Sequence, residues 1–384
     1  MNEEGRLVAP DQSIWGDEKI CSELIHIYCI SPLLEAGKIY NRKDILNAAK
    51  KMINYYVTYK REEILDFSLL SHFYAYVMEG LCDVGEYELA KQAMKKIELL
   101  QSDDGAVPGY KNVKWVCSTG LFQLAIVWYK LGNIEKGNRA LEYATKLQNK
   151  SGGWYGSYGD YEKMDGRNKE YFPTYFPISE ISWAVKYFLD AIYYKNVAEF
   201  NNISSIFDTH INLKDGRYEK IEEVIKNSNA KVVCDVGCGT GRYINELVEK
   251  NIVDQGYAVD ISDKVMLNVN ETVEKKQGTL TYIPYEDEKF DVTYAVESLE
   301  HAILIENAIK EMVRVTKKGG KVIIIDKPIS AIGMLEIDDM EQWISDDSVR
   351  KVAKELYCKL DIVENIQYED DRQDGLFRAW ILSK

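Results

Sequence analysis

Several residues in the second half of the chain have types and spacings that suit ligand binding or catalysis. In the stretch Lys231 to Lys250, an apolar run with β-branched residues leads into Gly237, Gly239 and Gly241, and Asp235 precedes the first glycine. Glycine lets the backbone turn sharply and lets a ligand lie close to it, while the following helix begins with free N–H groups. The pattern therefore predicts a strand, a tight turn and a helix that bind a nucleotide-like ligand.

The spacing of these glycines narrows the choice of ligand. A dinucleotide-binding turn has the pattern G-x-G-x-x-G, but the sixth position here is Arg242 and the pattern is G-x-G-x-G. A second short strand, Gly256 to Asp260, ends in an acid 23 residues after Gly237 (260 − 237). Because a carboxylate at that place can accept hydrogen bonds from both hydroxyls of a ribose, the ligand is predicted to contain one.

A further group, Glu297, Glu300 and His301, follows the predicted strand Phe290 to Val296. Two carboxylates and an imidazole within five positions can hold a divalent cation such as Mg²⁺, so these three residues form a candidate metal site. The structural alternatives are that Glu297 contacts ligand or solvent, that Glu300 caps the next helix, and that His301 only packs.

Length and composition limit the function. At 384 residues two domains are expected, and 46% apolar with 29% charged residues is typical of a soluble globular protein. A net charge of −14 disfavours nucleic acid, whose phosphates need clustered Lys and Arg. We see no signal peptide and no apolar run of bilayer length, and the seven scattered cysteines suit reduced thiols. A cytoplasmic protein with a small-molecule partner and no membrane contact is predicted, and a homo-oligomer is compatible with this composition.

The first half is predicted to be an all-helical domain, 1–199, followed by a second domain, 200–384. Two loops in the first half form a weak internal repeat, Leu100 to Gly105 and Leu147 to Gly152. The second copy reads Gln148-x-x-x-Gly152-x-Trp154, which resembles an element of the terpene-cyclase and prenyltransferase-like α/α toroids. This resemblance implies helical hairpins wrapped around a central axis. Helical spacing of apolar residues predicts the helices Asp44–Tyr59, Ile64–Gly80, Glu86–Gln101, Thr119–Leu131 and Ile134–Gln148.

The helical half admits a second class of function. Toroids of this kind include glycan-processing enzymes, which need two carboxylates across the sugar. The aromatic loop Gly152 to Phe176 could stack on a sugar or aromatic ring, or it could seal the helical core. A glycan hydrolase or lyase and a non-catalytic glycan- or partner-binding protein are therefore the alternatives, although loop acids often only keep a loop soluble. The acids in these loops are Asp103, Asp104, Asp160 and Asp165.

The second half alternates strands and helices, which predicts a parallel sheet with helices on both faces. The last two strands, Leu360–Tyr368 and Leu376–Leu382, are close enough in sequence to pair antiparallel. The other elements predicted after the glycine turn are the strands Gly256–Asp260, Thr279–Ile283, Phe290–Val296 and Lys321–Asp326, and the helix Ile303–Thr316.

Five motifs occur in order in this half and together resemble those of class I S-adenosylmethionine-dependent methyltransferases, over about Gly216 to Lys384. The resemblance implies a Rossmann-like, seven-stranded α/β domain with an antiparallel last strand, and S-adenosylmethionine as cofactor. The motifs are Asp235-Val236-Gly237-Cys238-Gly239-Thr240-Gly241, Ala258-Val259-Asp260, Phe290-Asp291-Val292, Glu297-Ser298-Leu299-Glu300-His301 and Arg314-Val315-Thr316-Lys317-Lys318-Gly319-Gly320.

The resemblance also implies roles for single positions. Asp260 would hold the ribose hydroxyls, and Ile261 would flank the adenine. Where many relatives have an Asp that binds the adenine amine, this chain has Thr279, so Tyr282 or Ile283 is predicted to line the ring instead. Asp235 would fix the loop under the methionine part of the cofactor and bind its amino group. That loop would be formed by Gly237, Cys238, Gly239, Thr240 and Gly241.

The predicted reaction is O-methylation of a hydroxyl on a small molecule or glycan precursor, with an aromatic natural product as a further candidate and the helical domain covering the acceptor site. A hydroxyl must lose its proton, and His301 is the predicted general base beside Glu297 and Glu300. The same pattern resembles the metal site of small-RNA 2′-O-methyltransferases, but the acidic charge disfavours RNA. Residues Met334, Trp343 and Asp338 are candidate lid residues by resemblance.

Overall fold

A computed structural model describes residues 1–7, 23–160, 169–211, 214–337, 341–368 and 372–384. These residues form two compact units, Met1–Glu199 and Phe200–Lys384, which we call the helical unit and the sheet unit. The predicted residues Asp165 and Asp338 lie outside the described residues.

The described part of the helical unit consists of helices and one two-stranded ribbon. The ribbon pairs β1, Val116–Cys117, with β2, Ser157–Tyr158, and no strand was predicted there. The helices are the 3₁₀ helices Glu23–Cys29 and Lys169–Tyr171 and the α-helices α1 Ile30–Ile39, α2 Lys43–Tyr59, α3 Arg61–Leu65, α4 Ser71–Asp83, α5 Tyr87–Leu100, α6 Ser118–Lys130, α7 Ile134–Lys146 and α8 Ser182–Ile203.

One predicted helix is wrong. The segment Ile64–Gly80 is two helices, because α3 ends at Leu65 and α4 begins at Ser71. The N–H of Ser71 donates to the carbonyl of Gly109 at 2.7 Å, so the first turn of α4 is anchored to a distant loop. Helical periodicity alone cannot reveal such a contact, since apolar residues continue through the break.

The internal repeat is confirmed and extends beyond the two loops. A shift of 47 residues takes the first residue of α4 to that of α6 (118 − 71) and that of α5 to that of α7 (134 − 87). The N–H of Ser118 donates to Gly156 as the N–H of Ser71 donates to Gly109, again 47 residues apart (156 − 109). Two helical hairpins therefore repeat with their connecting loops, while closure into a toroid stays a prediction.

Buried aromatic and apolar residues hold the helical unit together. Helix α6 is buried from Ser118 to Tyr129, so it runs through the core instead of lying on its surface. Trp154, the tryptophan of the repeat loop, packs on Phe122 and Phe188 with ring centroids 5.1 and 5.0 Å away. Its Nε1 donates to the carbonyl of Ala144 at 2.8 Å, which satisfies the one polar group of a buried indole. Trp154 thus seals the helical core.

The sheet unit contains seven strands and four α-helices among its described residues. The strands are β3 Val232–Val236, β4 Gln255–Asp260, β5 Glu274–Gln277, β6 Phe290–Val296, β7 Thr316–Asp326, β8 Lys359–Val363 and β9 Arg378–Ser383. The α-helices are α9 Gly216–Asn227, α10 Arg242–Glu249, α11 Ile305–Val315 and α12 Asp346–Glu355.

The sheet has the order β5-β4-β3-β6-β7-β9-β8. Only β9 runs against its neighbours, since it pairs antiparallel with both β7 and β8. This confirms the predicted seven-stranded sheet with an antiparallel last strand. The chain moves outward from β3 in one direction and returns to start β6 on the other side, which makes a switch point between these strands.

Both faces of the sheet are buried. Along β7, Ile323 and Ile325 pack into one core and Val322 and Ile324 into the other, as the two-residue period of a strand requires. Helices α9 and α10 contribute to the first core, and α11 and α12 to the second. The prediction of helices on both faces is confirmed.

The third strand of the sheet unit was predicted in the wrong place. It is β5, Glu274–Gln277, whose four residues are all exposed and polar at the sheet edge and so show no apolar alternation. The predicted segment Thr279–Ile283 contains a turn instead, in which Thr279 and Tyr282 exchange two backbone hydrogen bonds of 3.1 and 3.0 Å.

The two repeat loops allow a matched test of packing. Gly105 and Gly152 both have positive φ, +97° and +91°, but a Cβ on Gly105 would lie 2.0 Å from the carbonyl oxygen of Arg139 whereas one on Gly152 would meet nothing within 4 Å. We expect Gly105→Ala to lower the free energy of unfolding by about 2–4 kcal/mol and Gly152→Ala by about 1 kcal/mol. Urea unfolding followed by tryptophan fluorescence measures both, and equal losses would contradict the repeat contacts.

Candidate functional site

The predicted site residues lie at the carboxyl ends of neighbouring strands. The glycine turn follows β3, Asp260 ends β4, and Glu297 to His301 follow β6. Since β4, β3 and β6 are adjacent and parallel, these groups share one edge of the sheet, beside the switch point. Open parallel sheets bind ligands in the crevice at that place.

The glycine turn is fixed on both sides. The N–H groups of Gly237 and Cys238 donate to the carbonyl of Val259 at 2.8 and 3.0 Å. All three glycines have positive φ, and a Cβ on Gly237 would lie 2.5 Å from the Cβ of Ser298, so the turn packs against the segment after β6. At Gly239 an added Cβ would meet nothing nearer than 3.9 Å, which leaves an open surface on the turn.

Asp260 connects this turn to the end of its own strand. Its Oδ2 accepts from the N–H of Gly239 and its Oδ1 from the N–H of Ser262, both at 2.9 Å. A carboxylate has about four lone pairs, so two remain for the hydroxyls of a ribose. Burial raises the pKa of Asp260, and the two N–H groups act in the opposite direction. Ile261, the predicted adenine contact, follows it and is half-buried.

Asp235 is 2% exposed. Its Oδ2 accepts from the hydroxyl of Tyr294 at 3.1 Å, and among the described residues no cationic side chain forms an ion pair with it. Burial raises the pKa of Asp235 to about 8, and the charge of Asp260 adds to that increase. Two buried carboxylates of this kind suit a ligand with positive charge. The amino group and sulfonium of S-adenosylmethionine supply it, so these residues and the open surface at Gly239 fit that cofactor.

The two residues predicted to line the adenine have different environments. Tyr282 is 68% exposed, whereas Ile283 is 1% exposed and packs in the core with Val259. Leu280, which the motif comparison missed, lies nearer the turn: its Cδ2 is 3.4 Å from the position of a Cβ on Gly237. Leu280 directly follows Thr279, the position at which an adenine-binding Asp was expected. Its place next to Thr279 was the one sequence feature that could have indicated a role for Leu280.

Glu297, the first residue after β6, forms ion pairs with two arginines. Thr240 and Cys238 are buried within the turn. The Glu297 carboxylate accepts from Arg217 Nη1 at 2.5 Å and from Arg242 Nη2 at 3.3 Å. Arg217 lies 80 residues earlier in the chain, so a local motif gave no signal for it. Glu297 has a φ of +49°, an uncommon conformation for a residue with a Cβ.

The predicted metal trio does not form one group. Ligand atoms of Glu300, His301 and Glu341 lie within 4.8 Å of one another, and Glu297 is not in this group. Lys327 Nζ lies 2.6 Å from Glu300 and 3.5 Å from Glu341, so its ammonium supplies the positive charge that a divalent ion would supply there. Because a second cation would be repelled at this range, the residues do not fit the predicted Mg²⁺ site.

Asp326 fixes the position of this cluster. Its Oδ2 accepts from the N–H of Glu300 at 3.2 Å and its Oδ1 from the N–H of Lys327 at 2.8 Å. Asp326 is fully buried, and burial raises its pKa well above the usual range. The end of β7 therefore holds the turn that contains His301.

The two described candidate lid residues differ in burial, since Met334 is 43% exposed while Trp343 is buried in the core.

Two of the acids in the loops of the helical unit, Asp103 and Asp104, have local contacts. Asp104 accepts from the hydroxyl of Ser102 at 2.5 Å and from the N–H of Ala106 at 3.3 Å, within one turn of the repeat. Asp103 is exposed and lies 3.9 Å from Arg139. These contacts of Asp103 and Asp104 are those of loop-stabilising residues.

The burial of Asp235 should make the free energy of unfolding depend on pH. From about pH 4 to pH 8 the folded protein holds a proton on Asp235 that the unfolded chain releases, so wild-type stability falls as pH rises through this window. We expect Asp235→Asn to lack this loss and to be about 1–3 kcal/mol more stable than wild type at pH 9 without cofactor, with little difference at pH 4. Urea unfolding at both pH values measures this, with the exposed Asp263→Asn as control. A difference that is independent of pH would contradict the prediction.

The sequence matches known methyltransferases. Residues 234–324 match the family model described as a methyltransferase domain. Tocopherol O-methyltransferase of Arabidopsis thaliana is 27% identical over 183 residues, which are 43% of this chain and 50% of that protein. Sterol 24-C-methyltransferase of Schizosaccharomyces pombe is 36% identical over 98 residues, which are 23% of this chain and 25% of that protein. The chain thus spans half or less of the length of these two relatives.

Solved methyltransferase structures are similar to part of the chain. A chain from the complex of the Haloferax volcanii Trm112 methyltransferase activator with a methyltransferase has a TM-score of 0.37 at 16% identity, covering 48% of this chain and 97% of that chain. A methyltransferase from Thermotoga maritima has a TM-score of 0.35 at 17% identity, covering 44% of this chain and 91% of that chain.

Among the described residues, no helix has the length and apolar character needed to cross a bilayer. From the family match, the sheet order and the glycine turn, the sheet unit contains a class I S-adenosylmethionine-dependent methyltransferase domain.

Proposed function

We propose that the chain transfers the methyl group of S-adenosylmethionine to a hydroxyl of a small molecule, with His301 as general base. The supporting observation is that the turn containing His301 is joined to the glycine turn. Ser298 Oγ donates to the carbonyl of Val236 at 3.0 Å, and Gly237 packs against the same serine. The His301 imidazole acts to lower the pKa of Asp260, against the larger effect of burial. The candidate base and the cofactor loop thus share one edge of the sheet.

The chemistry needs little from the protein besides alignment and removal of a proton. When bound, S-adenosylmethionine supplies a methyl group on a sulfonium sulfur, which is already activated. The glycine turn, Asp235 and Asp260 would hold the cofactor and align its methyl group with the acceptor hydroxyl, and His301 would accept the proton of that hydroxyl. Glu300 Oε1 lies 3.8 Å from His301 Nε2.

The acceptor is proposed to be an apolar small molecule with a ring. The names of similar proteins support this, since they refer to tocopherol, sterols and, in Desulfitobacterium hafniense, demethylmenaquinone. Apolar side chains near the base support it as well, because Ile303 and Leu304 follow His301 and are 69% and 57% exposed. A glycan precursor stays the alternative acceptor. The helical unit is proposed to contribute to acceptor choice, and the protein is proposed to be cytoplasmic.

Binding of the cofactor is the first test. We expect isothermal titration to show binding of S-adenosylmethionine to wild type and at least about tenfold weaker binding to Asp260→Ala, because the variant loses charged hydrogen-bond acceptors for the ribose. The control is Asp254→Ala, whose carboxylate is exposed and lies 3.4 Å from Lys231. Absence of binding to wild type, or equal binding to both variants, would overturn the proposal.

The role of His301 needs a methyl-transfer assay. Wild type is incubated with S-adenosylmethionine labelled in the methyl group and a metabolite extract, and the product that gains the labelled methyl is identified by mass. We expect His301→Ala to lower the rate at least about 100-fold while cofactor affinity changes less than twofold, because a general base contributes about 10²–10⁴ in rate. The control is His210→Ala, an exposed histidine of the same unit. An unchanged rate in His301→Ala would remove it from the mechanism.

A further inference from the structure

We infer that the segment Phe200–Asp208, here called the strap, is a wall of the cofactor site, and that Asn201 within it is a positioning residue for the adenosine part of the cofactor. This inference depends on the proposed use of S-adenosylmethionine. The strap belongs to the sheet unit, and it includes the last turn of α8 and the polar stretch that follows. Sequence patterns assign no function to it.

One set of strap contacts is on the ribose side. Ser262 Oγ donates to Asn201 Oδ1 at 2.6 Å, and Lys264 Nζ donates to the backbone carbonyl of Asn201 at 2.9 Å. Ser262 is fully buried, and its N–H is one of the two that hold the Asp260 carboxylate. Its Oγ also accepts from the N–H of Val265 at 3.0 Å. Asn201 therefore fixes the residue that orients the ribose-binding acid.

The strap also reaches the glycine turn. Thr240 Oγ1 donates to the backbone carbonyl of Asp208 at 2.5 Å, and Arg242 Nη1 lies 3.4 Å from the Asp208 carboxylate. Thr240 is 3% exposed, so the strap gives a buried hydroxyl its acceptor. A buried hydroxyl without a hydrogen-bond partner costs free energy, so the contact with Thr240 favours a strap that lies against this turn.

A third contact involves the candidate base. The ring of Phe200 packs edge-on against His301 with centroids 5.2 Å apart, and Phe207 stacks on Phe200 at 6.5 Å. The strap thus touches the segments after β3, β4 and β6, which are the three that approach the cofactor. One short segment that joins all three limits how far each can move, and such preorganisation lowers the entropic cost of binding.

The effect of Asn201 on affinity follows from Ser262. Without the amide oxygen, the Ser262 hydroxyl loses its acceptor and the N–H beside Asp260 is held less firmly. The cofactor must then restore the orientation of Asp260 when it binds. We expect Asn201→Ala to weaken binding of S-adenosylhomocysteine about 3- to 20-fold. 5′-Methylthioadenosine, which lacks the amino-acid part, should be weakened by the same factor, because the affected contacts are to the ribose.

The experiment is isothermal titration of the full chain with these two ligands. The matched control is Asn202→Ala, an exposed neighbour of the same type, which should bind both ligands as wild type does. Asn201→Asp keeps the acceptor oxygen and should retain most of the affinity, which separates the hydrogen bond from a general loss of folding. Asn201→Ala should add less than twofold in a Ser262→Ala background, since the shared contact is already gone.

The possible failures are distinct. If wild type binds neither ligand, the proposed function fails. If wild type binds both but Asn201→Ala and Asn202→Ala bind equally, the proposed function stands and the role of Asn201 is wrong. A loss confined to S-adenosylhomocysteine, or a full additional loss in the Ser262→Ala background, would also overturn the assignment to the ribose side.

Discussion

The sheet unit depends on the burial of two carboxylates, Asp235 and Asp260, at the ends of adjacent strands. Burial of a charge costs free energy unless hydrogen bonds or an opposite charge offset it. Asp260 receives two N–H groups, and one of them belongs to Gly239, whose φ of +54° few other residues adopt. Within the described part of the chain, the Tyr294 hydroxyl is the side-chain donor to Asp235. The conformation of the turn and the preference for a cationic ligand both follow from these two acids.

Carboxylates on the other side of the switch point are neutralised by the protein itself. Glu297 is paired with Arg217 and Arg242, and Glu300 with Lys327. Among the described residues, Asp235 and Asp260 have no ion-pair partner, whereas Glu297 and Glu300 do. This difference suits a positively charged cofactor beside Asp235 and Asp260.

Local motifs predicted the first strand, the glycine turn and the following helix of the sheet unit correctly. The strand, glycine turn and helix are contiguous in sequence, so spacing alone was informative, and the regular alternation of strands and helices predicted the sheet. Elements defined by distant partners were missed. Strand β5 is polar because it lies exposed at an edge, and α4 begins where a distant carbonyl, that of Gly109, accepts its first N–H. For the same reason no local pattern indicated that Lys327 contacts both Glu300 and Glu341.

One of the missed features follows from topology. A helix that precedes a parallel strand packs antiparallel to it, so its first residue lies at the carboxyl edge of the sheet. Arg217 is the second residue of α9, and its side chain contacts Glu297 directly after β6. This contact agrees with a helix whose first residues lie at the carboxyl edge. Residues just before α9 must therefore lie near the cofactor turn, and Asp208 does. An irregular segment directly ahead of the first helix and strand of such a domain is thus a candidate part of its cofactor site, even when it has no motif of its own.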